Sequence, residues 1–227
     1  MPDAPMPSNL DIFSGREDAF ALVVSGPSGV GKTSVCSRVI EGDPRIEPVV
    51  TTTTRDRRNG EVDGEDYHFV TEDAYDSMLS EDAFLEHASV HGRRYGITKR
   101  AFAEALHSAD VVLLEIDVQG AETLRKTLEG RCAEVFILPP SIEELRARLT
   151  GRKSESPEVL ETRMTNAVEE MSHAPDYDYV IVNHDLDQAI RDIESVVRTE
   201  RSRPSRQRAM LESLNITDDV LTTIQGE

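Results

Sequence analysis

Four short, almost wholly apolar runs punctuate the chain, at residues 20 to 24, 111 to 114, 135 to 138 and 179 to 182. Runs of this length without alternation belong to strands covered on both faces, the condition of a parallel sheet. Around them apolar positions recur at helical spacing: residues 32 to 40, 99 to 107, 121 to 128, 142 to 149 behind a capping Ser141, 157 to 173, and 186 to 201. Strands alternating with helices predict an α/β fold, a doubly wound parallel sheet with helices on both faces. Residues 46 to 98 break this rhythm with a threonine run, turn signals at Asn59-Gly60 and Asp63-Gly64, a helix over 72 to 79 and alternating segments near 85 to 90. They predict a small insert of mixed strands. Residues 1 to 18 are Pro-rich, polar and aperiodic, and read as a flexible leader with structure starting at Ala19. Near the other end Met210, Leu211, Leu214, Val220, Leu221 and Ile224 fall at loosely helical spacing, which fits either a docked helix or a frayed tail.

Composition narrows the function classes. Of 227 residues, 38% are hydrophobic and 30% charged, as in soluble globular proteins. The longest aliphatic runs fall far short of the roughly 18 residues that a membrane span needs. The first 20 residues lack the basic start and apolar stretch of an export signal. Cys36 and Cys132 form no metal-binding spacing and suit a reducing cytoplasm. A net charge of −18 argues against nonspecific nucleic-acid binding. The arginines nevertheless cluster, at 55 to 58, 93 to 94, 146 to 152 and 198 to 208. Local anion sites and ordinary salt bridges both account for such clusters.

One segment carries explicit chemistry. Gly26-Pro-Ser-Gly-Val-Gly-Lys-Thr33 matches G-x-x-x-x-G-K-[ST] after a buried strand and before a helix. Its glycines let backbone N–H groups curl toward phosphate oxygens at the positive end of the helix. The phosphate-binding set is then Gly26, Pro27, Ser28, Gly29, Val30, Gly31, Lys32 and Thr33, with Lys32 reaching the terminal phosphates and the Thr33 hydroxyl holding Mg²⁺. Residues 111 to 117 supply a second strand, ending in Glu115 and Asp117 at the sheet edge where ligands of such folds bind.

With these segments in hand, residues 20 to 200 resemble the guanylate kinase family. The matching stretches include Thr53-Thr-Arg55, Gly60-Glu-Val-Asp-Gly-Glu-Asp-Tyr-His-Phe69, Phe84-Leu-Glu86, Tyr95-Gly96, Leu114-Glu-Ile-Asp-Val-Gln-Gly120, Ile137-Leu-Pro-Pro-Ser141 and Val180-Ile-Val-Asn183. The resemblance implies a three-layer P-loop fold with a GMP-binding insert and a helical lid. It implies phosphoryl transfer from ATP to GMP giving ADP and GDP, a step of guanine nucleotide salvage and synthesis, with dGMP left open as a second acceptor. It divides the chain into a core of residues 19 to 50, 99 to 147 and 166 to 203, an insert of 51 to 98, a lid of 148 to 165 and an extension of 204 to 227. It assigns the GMP phosphate to Arg55, Arg58, Tyr67 and Tyr95, and the base to Glu86 with Thr51, Glu115 and Asp117. Two arginines suit a monoester dianion, and a carboxylate matches the adjacent N1–H and N2–H donors of guanine. Arg148, Arg152 and Arg163 become lid and hinge arginines that join Lys32 and Arg58 in catalysis, and Asn183 lies on the adenine side.

Some positions depart from the family pattern. Arg57 stands in place of proline, His87 in place of tryptophan, and Ile97 in place of a small hydroxyl residue, with Thr98 beside it as an alternative hydroxyl. The rival readings are a catalytically silent peptide-binding module and a kinase for another nucleoside monophosphate. The intact Gly31, Lys32 and Thr33 argue against the first, and Glu86 with Asp117 against the second.

Overall fold

The computed structural model of the chain describes residues 11 to 90, 92 to 150, 157 to 214 and 216. Its first half runs β1 (Phe20–Ser25), α1 (Lys32–Gly42), β2 (Ile46–Pro48), β3 (Thr52–Thr53), β4 (His68–Phe69), α2 (Glu72–Ser80), β5 (Phe84–Val90) and β6 (Arg93–Thr98). The second half runs α3 (Lys99–Ser108), β7 (Val111–Glu115), α4 (Val118–Thr127), β8 (Cys132–Leu138), α5 (Ile142–Thr150), α6 (Pro157–Met171), β9 (Tyr179–Val182), α7 (Leu186–Arg201) and α8 (Arg208–Ser213).

β1 is buried at every position and lies at the centre of a five-stranded sheet ordered β2-β7-β1-β8-β9. Every pairing in this sheet is parallel. Alternation along β1 divides the core. Phe20, Leu22 and Val24 face one apolar cluster, built with Val35 and Val39 of α1 and Ile193 and Val197 of α7. Ala21 and Val23 face another, built with Phe102 and Leu106 of α3 and Ala121 and Leu124 of α4. The β1 run is therefore non-alternating because both its faces are covered, whereas β9, at the sheet edge, departs from that expectation with Val180 and Val182 exposed. A second sheet, ordered β4-β3-β6-β5, mixes one parallel and two antiparallel pairings within residues 52 to 98.

Several boundaries differ from expectation, each for an identifiable reason. The structure begins before Ala19: Ile12 and Phe13, in a short 3₁₀ turn, are buried against α3, and the Phe13 ring meets Phe102 edge-on at 5.5 Å. β2 is a three-residue edge strand of the main sheet, too short to leave a periodic trace. α4 starts at Val118, three residues earlier than its apolar spacing suggests, because Asp117 caps it by accepting from the Gly120 N–H at 3.0 Å. α6 ends at Met171, and a 3₁₀ turn over Ala174–Asp176 follows. Beyond α7 the described chain makes a 3₁₀ turn at Pro204–Arg206 and the short α8, with Met210 and Leu214 exposed. The remaining apolar residues of that segment, Val220, Leu221 and Ile224, lie outside the described residues.

Candidate active site

The β1 strand delivers the phosphate loop to the carboxyl edge of the sheet, and its glycines are needed there. Gly26, Gly29 and Gly31 have φ of +150°, +86° and +100°. A Cβ on Gly26 would lie 2.4 Å from the Ile137 carbonyl oxygen, so a side chain is excluded on two counts. Lys32, the first residue of α1, folds back and donates from Nζ to the Gly26 carbonyl at 2.6 Å and to the Pro27 carbonyl at 3.4 Å. Asn183, at the end of β9 and buried, donates from Nδ2 to the Val30 carbonyl at 2.8 Å. Arg148 of α5 reaches the same carbonyl at 3.2 Å and the Asn183 carbonyl at 3.1 Å. Arg163 of α6 donates to Ser28 Oγ at 3.0 Å, and the Ser28 N–H donates to Glu170 Oε2 at 3.1 Å.

Beside the loop, the Thr33 hydroxyl donates to Glu115 Oε1 at 2.8 Å. These two oxygens are donors of the kind a hard divalent cation takes. Burial pushes the Lys32 pKa below the ordinary lysine value, and the charges of Glu115, Glu170 and Asp117 oppose that shift. A cation held by this acidic surround is matched to phosphate arriving from solvent.

The insert gathers a second cationic site. Arg55 is half-buried, with its guanidinium carbon 5.1 Å from the Tyr67 ring centroid, and Tyr67 lies edge-on to Tyr95 at 6.2 Å. Glu61 clamps Arg55 with both oxygens, at 2.7 and 3.0 Å, and accepts from the Arg58 N–H at 2.7 Å. The carboxylate thus engages Arg55 as a bidentate phosphate monoester would. The Arg58 side chain is exposed. On β5, Glu86 is 4% exposed and unusually basic for a carboxyl group. Burial, then the charge of Asp117, pushes its pKa up to about 8. It fits because Gly120 of α4 has no side chain: a Cβ there would stand 2.8 Å from Glu86 Oε1. Thr51 is partly buried and gives its carbonyl to the His68 N–H at 2.9 Å.

Lys32, Thr33, Glu115, Arg148, Arg163 and Asn183 are thereby linked directly or through the phosphate loop, whereas Arg55, Tyr67 and Tyr95 meet on the insert. Arg152 lies outside the described residues. Asn183, expected on the adenine side, turns its amide to the loop backbone. Ile97 is 1% exposed and packs with Leu85 and Phe102, while the Thr98 oxygen caps α3 by accepting from the Ala101 N–H at 3.1 Å. Three arginines of the basic cluster at 198 to 208 are taken up in ion pairs: Arg201 bridges Asp110 and Asp43, and Arg203 and Arg206 both bind Glu200. Glu61, Gly120 and Glu170 had not been singled out. Glu61 and Gly120 lie inside recognisable motifs, but Glu170 reaches the loop from 142 residues away and leaves no local signal.

Residues 19 to 200 match the family model described as guanylate kinase. A guanylate kinase of Alkalilimnicola ehrlichii is 46% identical over 189 residues, covering 83% of this chain and 93% of that protein. A guanylate kinase of Escherichia coli strain K12 is 45% identical over 194 residues, covering 85% and 93% respectively. The crystal structure of guanylate kinase from Anaplasma phagocytophilum aligns with a TM-score of 0.72 and 32% identity, over 88% of this chain and 97% of that one. With matches of this extent joined to a phosphate loop and an insert carrying Arg55, Tyr67, Tyr95 and Glu86, the chain belongs to the guanylate kinase family.

Proposed function

We infer that the chain transfers the terminal phosphoryl group of ATP to GMP, giving ADP and GDP. The observation that carries this reading is the buried Glu86 on the same insert as Arg55, Tyr67 and Tyr95, opposite an intact phosphate loop. In this assignment the core of residues 19 to 50, 99 to 147 and 166 to 203 holds ATP, the insert of 51 to 98 holds GMP, and 148 to 165 forms a lid.

Each group then has a task. Arg55, Arg58, Tyr67 and Tyr95 bind the GMP phosphate, which displaces the Glu61 carboxylate from Arg55. Glu86 accepts from guanine N1–H and N2–H, with Thr51, Glu115 and Asp117 lining that side. A GMP phosphate oxygen attacks the terminal phosphorus of ATP in line, the bond to the bridging oxygen breaks, and ADP leaves. Lys32, Arg58, Arg148, Arg152 and Arg163 spread the developing charge, so positioning and electrostatics supply the catalysis. A monoester dianion is itself a competent nucleophile, so no side chain need act as a general base. Mg²⁺ fits at Thr33 with Glu115 behind it, and when bound would neutralise charge on the ATP phosphates. The two unpaired cysteines support a cytoplasmic location. Among the described residues no helix is long and apolar enough to cross a membrane.

The test is product analysis by ³¹P NMR with ATP, Mg²⁺ and GMP. Stoichiometric ADP and GDP are expected, with Lys32→Ala lowering kcat by roughly 10² or more while the fold persists. Near wild-type kcat for Lys32→Ala at saturating ATP would reject the role given to the loop.

A further inference from the structure

The α6 helix meets the phosphate loop through two side chains seven residues apart, hence on one face and two turns from each other. Arg163 donates to Ser28 Oγ, and Glu170 accepts from the Ser28 N–H. The second contact is unexpected on electrostatic grounds. A phosphate loop presents N–H groups to anions, and a fixed carboxylate beside it repels the polyphosphate that must enter. Its presence is reasonable if the N–H it takes shapes the loop instead of binding phosphate.

The neighbouring contacts support that division of labour. Lys32 ties down the Gly26 and Pro27 carbonyls, and Asn183 and Arg148 tie down the Val30 carbonyl. Between these anchors lies Ser28, fixed through its N–H by Glu170 and through its hydroxyl by Arg163. The helix carrying both is itself seated: Met164 and Ala167 pack with Leu145 and Leu149 of α5. Leu149 in turn closes over the loop, its Cδ2 2.6 Å from where a Cβ on Gly29 would stand.

We propose that Glu170 is a positioning residue for ATP, holding the tip of the phosphate loop in register with α6 through the Ser28 N–H without touching the reacting atoms. The proposal rests on the loop being the ATP site. It predicts an effect on adenine nucleotide binding, set by reach to that N–H more than by charge.

Three variants of the full chain separate these possibilities. Glu170→Gln keeps an acceptor oxygen at the same distance without the charge. Glu170→Asp keeps the charge but withdraws it by one methylene, and Glu170→Ala removes both. The readouts are the Kd of a fluorescent ADP analogue, and kcat and KM for ATP and GMP separately, with thermal melts to confirm folding. Glu170→Asp and Glu170→Ala should weaken the ADP analogue and raise the KM for ATP by about five- to tenfold. Glu170→Gln should stay within about twofold of wild type, and the KM for GMP should stay within twofold throughout. If Glu170→Ala does not fold, the Asp and Gln variants decide. Unchanged ADP binding in Glu170→Asp, an equal rise in both KM values, or a Gln variant as weak as the Asp variant would each overturn the proposal. A wild-type protein that neither binds the ADP analogue nor turns over would instead reject the functional reading on which it rests.

Discussion

Glu86 meets two opposed demands. In the proposed role guanine needs its carboxylate, yet burial and Asp117 hold the free protein's Glu86 pKa at about 8, against an ordinary 4.5. The donors of guanine stabilise the anion, so binding should draw the proton off. Between pH 7 and 8, where the GMP phosphate is already a dianion, calorimetry in buffers of different ionisation enthalpy should show proton release on GMP binding. The Kd for GMP should tighten as pH rises toward 8, and a Kd flat over that range would show that Glu86 is already ionised. The same shift affects folding. A carboxyl group with a raised folded pKa adds stability below about 4.5 that is lost as pH rises through about 8. Glu86→Gln should therefore melt higher than wild type at pH 8 and lose that advantage at pH 5. Gly120 tests the same pocket from the other side: Gly120→Ala brings a methyl 2.8 Å from Glu86 Oε1 and should raise the KM for GMP about tenfold, equivalent to ~1.4 kcal/mol, with the KM for ATP unchanged. Ile97 marks the limit of residue-level reading from sequence. Its departure from the family's hydroxyl was visible, but its enclosure between Leu85 and Phe102 depends on packing across β5, β6 and α3.

At the scale of elements, the legible strands are those of the main sheet with an unbroken apolar run, whether enclosed on both faces like β1 or at the sheet edge like β9, where Val180 and Val182 are exposed. β1, β7, β8 and β9 each leave a run of apolar residues. β2 does not, because a three-residue edge strand needs little more than Ile46 turned into the core. The 3₁₀ turn holding Ile12 and Phe13 was hidden for a related reason: two apolar residues in a polar stretch have no period, and their partners lie on α3. The segment after α7 is anchored by charge more than by apolar packing. Glu200, 1% exposed, accepts from Tyr179 at 2.6 Å and from Arg206 at 2.5 Å, and the Arg206 guanidinium lies 4.1 Å from the Phe20 ring centroid. Breaking a buried pair from one side leaves an uncompensated charge, typically at a cost of about 3 to 5 kcal/mol. Tyr179 and Arg203 still serve Glu200, so Arg206→Ala should destabilise by about 2 to 4 kcal/mol in urea unfolding, with kcat retained. A change below about 0.5 kcal/mol would mean that the segment after α7 does not support the core.

For the whole molecule, the phosphate loop was legible because its eight residues are contiguous, and the segments of the proposed GMP site because their motifs are short and local. What was not legible is the pair of carboxylates that hold these sites from within: Glu61 against the Arg55 guanidinium and Glu170 against the Ser28 N–H. Each is recognisable as a partner once the backbone brings it near. In the proposed assignment ATP and GMP bind to different sheets, and in-line transfer needs reacting atoms about 3 to 3.5 Å apart, so the assignment implies motion. A bisubstrate analogue joining adenosine and guanosine through phosphates should slow amide exchange at residues 55 to 58 and around Arg148, and equal exchange with and without it would contradict closure. The central claim, transfer to guanine monophosphate specified by Glu86, is tested most directly by kcat/KM for GMP and for AMP at saturating ATP and Mg²⁺. A site built to hydrogen-bond a polar group rejects an analogue lacking it by as much as ~10⁴ to 10⁵. GMP should therefore exceed AMP by at least about 10³, with Glu86→Gln narrowing the ratio; equal kcat/KM for the two nucleotides in the unmodified protein would contradict the account.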